Sequence, residues 1–308
     1  MATYSYVDCL ERSYKVNWKI KDVLGNQDFD LSRPWLPAGL SGGSSLSFLD
    51  EEEKRKLTHV EMGAYAHLFG FVEAFIAPEM VALARDSSHE TAGAFEALTN
   101  FASEEIKHMH LFQEIRRRVD NKLGFELELL AGQQEVAQTV LSRHRGAVLL
   151  LTAAIEWLTQ HHYLSAMRHS DELDPLTKEI FRFHWMEEAQ HAQLDHLEAM
   201  AHFKSMGASD RDAAVEDLIW LLVAVDGLLQ QQVGHDVVNA SRYLGRVFTA
   251  VERQEVRQGL LKAKRHCFIE SGVSHPNFQE LFLSVTTPDQ QARVQDALTL
   301  ILHRGPGH

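Results

Sequence analysis

Four glutamates in this chain stand on helical stripes that are otherwise almost wholly apolar. Glu73, within Leu68-Phe-Gly-Phe-Val-Glu-Ala-Phe-Ile76, shares its face with Ala66, Phe69, Gly70, Ile76, Ala77 and Met80. Glu105 faces Leu98, Phe101, Ala102 and Phe112, and Glu156 faces Leu149, Thr152, Ala153 and Tyr163. Glu188, in Phe183-His-Trp-Met-Glu-Glu-Ala-Gln-His191, has Phe181, Trp185 and Ala192 beside it, with His184 and His191 at i−4 and i+3 on the same stripe. A glutamate is almost never buried unpaired, so a fold that accepts these four must bring positive charge to them.

Their spacing carries a second signal. Glu73 to Glu105 is 105 − 73 = 32 residues, and His108 follows at i+3; Glu156 to Glu188 is 188 − 156 = 32 residues, and His191 follows at i+3. Glu-x-x-His alone is a weak motif, but Glu…Glu-x-x-His repeated once per helical pair is the ligand arrangement of a ferritin-like dimetal bundle. Four carboxylates carry about −4, which two divalent ions cancel. Mixed carboxylate and imidazole ligation suits iron or manganese better than zinc, magnesium or calcium. His184 breaks the repeat, because its counterpart in the first pair is Phe101. It is either a seventh ligand or a residue facing the substrate or the other ligands. Glu104 and Glu187 precede the ligand glutamates and are expected to meet cations rather than the metals, while Asp195 is a candidate to orient an imidazole. His110, His161 and His162 are read as ordinary polar-face residues.

The rest of the chain fits an all-α protein: a ferritin-like four-helix bundle with additional C-terminal helices and an irregular N-terminal arm. Residues 1–49 form the arm, 50–207 the bundle and 208–308 helices packed on it, as one domain. In the arm, Pro34, Pro37, Gly39, Gly42 and Gly43 interrupt regular structure. Gly39-Leu-Ser-Gly-Gly43 matches a nucleophile elbow formally, but no strand precedes it. Trp18 and Trp35 are expected to pin the arm down, over a site or across a dimer contact. Asp50-Glu-Glu-Glu53 predicts a capping box opening a helix to about Arg85, loosened just after Glu73 by Pro78. A second helix is expected from a cap at 87–90 to about Asp120, a third unbroken from Gln133 past Tyr163, and a fourth from Asp174-Pro175 to Gly207. Further segments are expected near 210–232, 235–265 and 288–303.

Composition removes other classes. A net charge of −13 over 308 residues argues against nucleic acid or an anionic membrane as partner. Cys9 and Cys267 make no disulfide framework or zinc motif, which suits a reducing cytoplasm. The first residues lack the regions of a leader, and the most apolar run, Leu218 to Val225, is far shorter than the ~20 residues of a membrane span. A cytoplasmic protein, as a homodimer, is the expectation.

The quoted residues together resemble the ferritin-like diiron N-oxygenases typified by p-aminobenzoate N-oxygenase. That family's pattern is Glu, acidic-Glu-x-x-His, Glu, then His-x-x-x-Glu-x-x-His. This chain has Glu73, then Glu104-Glu105-Ile-Lys-His108, then Glu156, then His184-Trp-Met-Glu-Glu188-Ala-Gln-His191. The third histidine is the specific part, and the resemblance covers about 50–207. It implies two iron ions held by Glu73, Glu105, His108, Glu156, His184, Glu188 and His191. It further implies O₂ activation through a peroxo-diferric oxidant and attack on an amine nitrogen, towards hydroxylamine and nitro products. The amine is small, free or carrier-bound, and no flavin or nicotinamide fingerprint is present, so electrons come from a separate reductase or donor. Two other readings stand beside it: a diiron oxygenase acting on carbon, and a non-catalytic iron-binding protein. Phe69, Phe101, Phe112, Trp157 and Tyr163 either line an aromatic pocket or form plain core.

Overall fold

The computed structural model describes residues 4–87 and 91–305, and no strand occurs among them. In chain order the helices are α1 (Tyr6–Val16), α2 (Ile20–Leu24), α3 (Glu51–Asp86), α4 (Ala94–Leu123), α5 (Gln133–Leu141), α6 (Arg145–His161), α7 (Pro175–Ser205), α8 (Ala208–Leu244), α9 (Ala250–Arg265), α10 (Ser271–Val273), α11 (Pro276–Val285) and α12 (Pro288–His303). A π-helical turn, His162–Met167, extends α6, and a second, His266–Glu270, joins α9 to α10.

Helices α3, α4, α6 and α7 make the bundle, with α3 along α4, α6 along α7, and α4 meeting α7. Their ends follow local chemistry. Asp50 and Glu53 form the reciprocal capping box that opens α3, and Asp174 caps α7 through the Thr177 N–H with Pro175 in the first turn. Helix α3 is long and apolar enough to cross a membrane by length and composition, but it packs against α4, α5 and α8. It runs through Pro78 without interruption, so the loosening expected after Glu73 does not break it.

Several expectations need correction. The arm is irregular only in its second half; its first half forms α1 and α2, and α1 docks on α4 and α7. Residues 88–90 of the cap expected for the second helix lie outside the described residues, and α4 starts after Gly93, whose φ of 77° suits glycine. The third run is two helices, because His144 caps α6 and the Asp217 carboxylate accepts the His144 N–H at 2.7 Å. The C-terminal part holds one long α8 where a break near 233 was expected, and adds α11. Gly39–Gly43 is no elbow. A Cβ at Gly42 would lie 2.8 Å from the Gly259 backbone, so glycine there lets the arm touch α9, and Ser41 donates to Glu61. Finally, His162 is buried between Tyr65 and Ser271, not on a polar face, whereas His110 is exposed.

Candidate metal centre

Each bundle helix delivers its glutamate to the same point. Glu73 comes from α3, Glu105 and His108 from α4, Glu156 from α6, and His184, Glu188 and His191 from α7. All seven are at most 2% exposed. Glu188 is central: its Oε1 lies 2.9 Å from His108 Nδ1 and 2.8 Å from His184 Nε2, and its Oε2 lies 2.7 Å from His191 Nδ1. His184 Nε2 is also 3.5 Å from Glu73, and His191 Nδ1 is 3.0 Å from Glu105. Two overlapping groups result, Glu73–His108–His184–Glu188 and Glu105–His108–Glu188–His191, with the donor atoms of each within 4.8 Å of one another. Glu156 falls in neither group and stands beside Glu188 with its Oε2 unpartnered.

The polar atoms describe a site short of positive charge. Both oxygens of Glu73 have no hydrogen-bond partner, and Glu105 and His184 Nε2 meet only other members of the cluster. Among the described residues no lysine or arginine pairs with any of the four glutamates; their ion pairs are to imidazoles. Burial pushes the Glu73 and Glu156 carboxyls well above the usual carboxylate range, helped by Glu105 and Glu188 respectively. At Glu188 burial acts the same way, but His184, His191 and His108 outweigh it and hold the group well below that range. Burial opposes charge on His108 and His191, yet Glu188 and the carboxylates hydrogen-bonded to them raise both well above an ordinary histidine. His184 goes down, because burial prevails there. Oxygen and imidazole donors with orphaned, charge-poor acceptors fit two divalent ions of the iron or manganese kind.

Around this cluster Glu104 and Glu187, expected to meet cations, meet imidazoles as well, and Glu187 also meets Lys107. His108 Nε2 contacts Glu187 at 2.8 Å, and His191 Nε2 contacts Glu104 at 2.8 Å. The acid preceding each ligand glutamate thus crosses to the other helix of the α4–α7 pair and turns that helix's imidazole so that Nδ1 points inward. Glu187 also accepts from Lys107, whereas Glu104 accepts from Ser13 and Gln190, both at 2.7 Å. The available signal was the repetition of an acid immediately before Glu105 and Glu188. Asp195 does not orient an imidazole: both His191 nitrogens are already engaged, and the buried Asp195 carboxyl, pushed up by desolvation, has both oxygens unpartnered.

Aromatic rings close the site. Trp18 stacks over His108 with centroids 5.9 Å apart, as the arm was expected to cover a site, and Phe101 stacks on His191 at 3.7 Å. Phe69 and Phe112 meet His184 edge-on at 5.7 and 5.1 Å. Trp157 stacks on His275 and Tyr163 on Trp185 instead, so those two pack with other rings. Trp35 lies against His59, away from the cluster.

The family model described as p-aminobenzoate N-oxygenase AurF matches residues 15–234. The chain belongs to this family. The match begins inside α1 and runs through most of α8, well beyond the 50–207 on which the resemblance rested. The p-aminobenzoate N-oxygenase family is a family of ferritin-like diiron N-oxygenases, so the chain is an enzyme, an oxidoreductase that uses a diiron centre, O₂, an amine and an electron donor. No curated protein matches the sequence.

Proposed function

We propose that Glu73, Glu105, His108, Glu156, His184, Glu188 and His191 hold two iron ions, and that the chain oxidises the nitrogen of a small amine, free or carrier-bound. Electrons come from a separate reductase or small donor, and the working form is a cytoplasmic homodimer of chains, each an arm, a bundle and C-terminal helices acting as one unit. The observation that carries the reading is His184, a third buried imidazole 2.8 Å from the central Glu188 with its Nε2 otherwise unpartnered. Bound iron supplies the O₂-reducing chemistry. The chain's share is to hold and shield it. Glu104 and Glu187 fix the His191 and His108 rings, and Trp18, Phe101, Phe69 and Phe112 keep water from the imidazoles.

His184→Phe tests this. The variant copies the first helical pair, where Phe101 holds the equivalent place, and is expected to retain most of its iron and its fold. Product analysis with reduced protein, O₂ and a panel of amines is expected to show N-oxygenation in the wild type and its loss in the variant. Wild-type product yields from His184→Phe would remove His184 from the site. Elemental analysis is expected to return about two irons per chain; one zinc, or two manganese with equal activity, would overturn the metal assignment.

A further inference from the structure

Tyr65 stands on α3 about two turns before Glu73 and is buried, with its hydroxyl 2.5 Å from Nδ1 of the buried His162. Neither side chain belongs to the ligand set. What lies behind the imidazole fixes its tautomer. His162 Nε2 is 3.1 Å from Ser271 Oγ, and that hydroxyl gives its one proton to the Cys267 carbonyl at 3.0 Å. Nε2 therefore donates to Ser271, and the Nδ1 lone pair accepts from the Tyr65 O–H. Burial pushes the His162 imidazole down to about 3, so it is neutral near pH 7 and its lone pair is available. Both π-helical turns serve this pair: His162 opens one, and the other carries Cys267 with Ser271 directly after it. Such turns are frequent at functional sites.

The phenol is joined to the metal centre by rings. Tyr65 lies 4.9 Å from Phe69 and 5.4 Å from Phe181 between centroids, and those two rings meet His184 at 5.7 and 6.2 Å. Packing that bars a small molecule from this space does not bar an electron, which tunnels across such gaps between rings. Trp18 is placed differently. It stacks directly over His108, but its indole N–H has no acceptor, and the Lys107 ammonium lies 4.2 Å from the ring centroid. An oxidised indole there would carry positive charge under a cation with no base to relieve it. The Tyr65 hydroxyl has a base in contact.

We propose that Tyr65 and His162 form a redox site that exchanges one electron with the diiron centre; this rests on His184 as a ligand, not on which substrate atom is oxidised. When O₂ has reacted and no amine is bound, Tyr65 gives one electron through Phe69 or Phe181 to the oxidised centre. Its O–H bond breaks as the same proton forms a bond to His162 Nδ1. The products are a neutral phenoxyl radical, an imidazolium whose Nε2–H still donates to Ser271, and a centre reduced by one electron. The external electron donor that serves the centre then returns one electron to the ring, and the proton goes back to the phenolic oxygen. An oxidising equivalent is thereby drawn away from the ligand imidazoles.

Iron-loaded protein, reduced without O₂ and then mixed with O₂ in the absence of amine, is freeze-quenched through the course of reoxidation and read by electron paramagnetic resonance. A tyrosyl radical signal is expected in the wild type, identified by the collapse of its ring-proton splittings in protein made with ring-deuterated tyrosine. Tyr65→Phe keeps the ring and is expected to lose the signal at unchanged iron content. His162→Gln still accepts the phenolic hydrogen bond through its amide oxygen but takes no proton, and is expected to lose most of the signal. Should Tyr65→Phe not fold, His162→Gln carries the test. The proposal is overturned when the wild type shows no tyrosyl signal at any time, when the signal survives in Tyr65→Phe, or when His162→Gln matches the wild type. The two readings fail separately. A Tyr65 radical in a protein that yields no N-oxygenated amine would remove N-oxygenation and leave the redox site, whereas N-oxygenation without the radical would do the reverse.

Discussion

Asp226 and Asp236 on α8 are buried as deeply as Glu73 on α3 and Glu188 on α7, at 4% and 0% against 2% and 2% exposure. Their surroundings differ in kind. Arg265 of α9 grips Asp226 with Nε at 2.6 Å and Nη2 at 3.0 Å, and Lys264 reaches Asp236 at 2.9 Å. The four bundle glutamates have imidazoles and one another, and no such cation. The chain can evidently set a buried lysine or arginine against a buried acid, and it does so where only the fold is at stake. At the four clustered glutamates, where it withholds one, room is kept for positive charge from outside.

The largest effect tests the self-neutralised region. Arg265→Met leaves the Asp226 charge buried and unpaired, and is expected to cost about 3–5 kcal/mol. Urea denaturation measures it, and the loss is expected to be the same with and without iron. A cost near zero would mean that water reaches Asp226, and the contrast would lose one of its sides. Next in size is removal of the metal. Iron held 100-fold above its dissociation constant adds about 2.7 kcal/mol to the bundle, so metal-free protein is expected to melt lower by several degrees. Coincident melting curves would mean that the glutamates balance their own charge.

The next effect is read as a slope against pH. In the metal-free protein the Glu73 and Glu156 carboxyls and the His108 and His191 imidazoles all have raised folded pKa values. Each therefore contributes stability that is complete below its unfolded pKa, about 4.3 or 6.5, and is lost as pH rises through the folded value. His184, lowered by burial, works in the opposite sense near neutrality, and Glu188, held low by three imidazoles, loses its contribution only at the acid end. Metal-free stability is thus expected to fall between about pH 5 and pH 8, by about 1.4 kcal/mol per pH unit for each net proton. Iron-loaded protein is expected instead to gain stability from about pH 5 to about 6.5 and to be flat above it, since bound metal keeps His108, His184 and His191 unprotonated while the unfolded chain protonates its histidines. A metal-free profile that rises with pH would contradict the assignment.

The metal side of this contrast was legible in the sequence, for one reason: ligands on a helix obey the helical period. Glu73, Glu105, Glu156 and Glu188 stand out because apolar neighbours at i±3 and i±4 betray burial, and Asp50–Glu53 and Asp174–Pro175 are local caps. What stayed hidden depends on contacts between distant residues. Helix α1 turns Ser13 inward to Glu104, and a polar residue on the buried stripe makes the segment look like surface. The α5–α6 break has no proline or glycine; it depends on Asp217, 73 residues away, holding the His144 N–H. An apolar cavity of about 250 Å³ has walls from α3, α5, α6 and α8 together, which no single period reveals.

The smallest effect carries the comparison inside the metal centre itself. Glu187 and Glu104 do the same work for His108 and His191, both at 2.8 Å, but only Glu187 also holds a lysine, Lys107, which in turn lies 4.2 Å above the Trp18 ring. A glutamine at either position keeps the shape and a carbonyl to accept from the imidazole. Glu187→Gln leaves the half-buried Lys107 facing a neutral amide, a loss of about 2 kcal/mol for a hydrogen bond to a charged group. Glu104→Gln leaves a hydroxyl and an amide as neighbours, neutral groups with no charge to strand, and is expected to cost about 1 kcal/mol. The ordering, not either value, is the test, read from urea midpoints of the iron-loaded variants with iron content held equal. If Glu104→Gln proved as costly as Glu187→Gln, the Lys107 charge would be carried by solvent. The outer acids would then be equivalent despite their different partners, and the rule that a protein cation marks a self-contained acid would not reach the metal centre's outer layer.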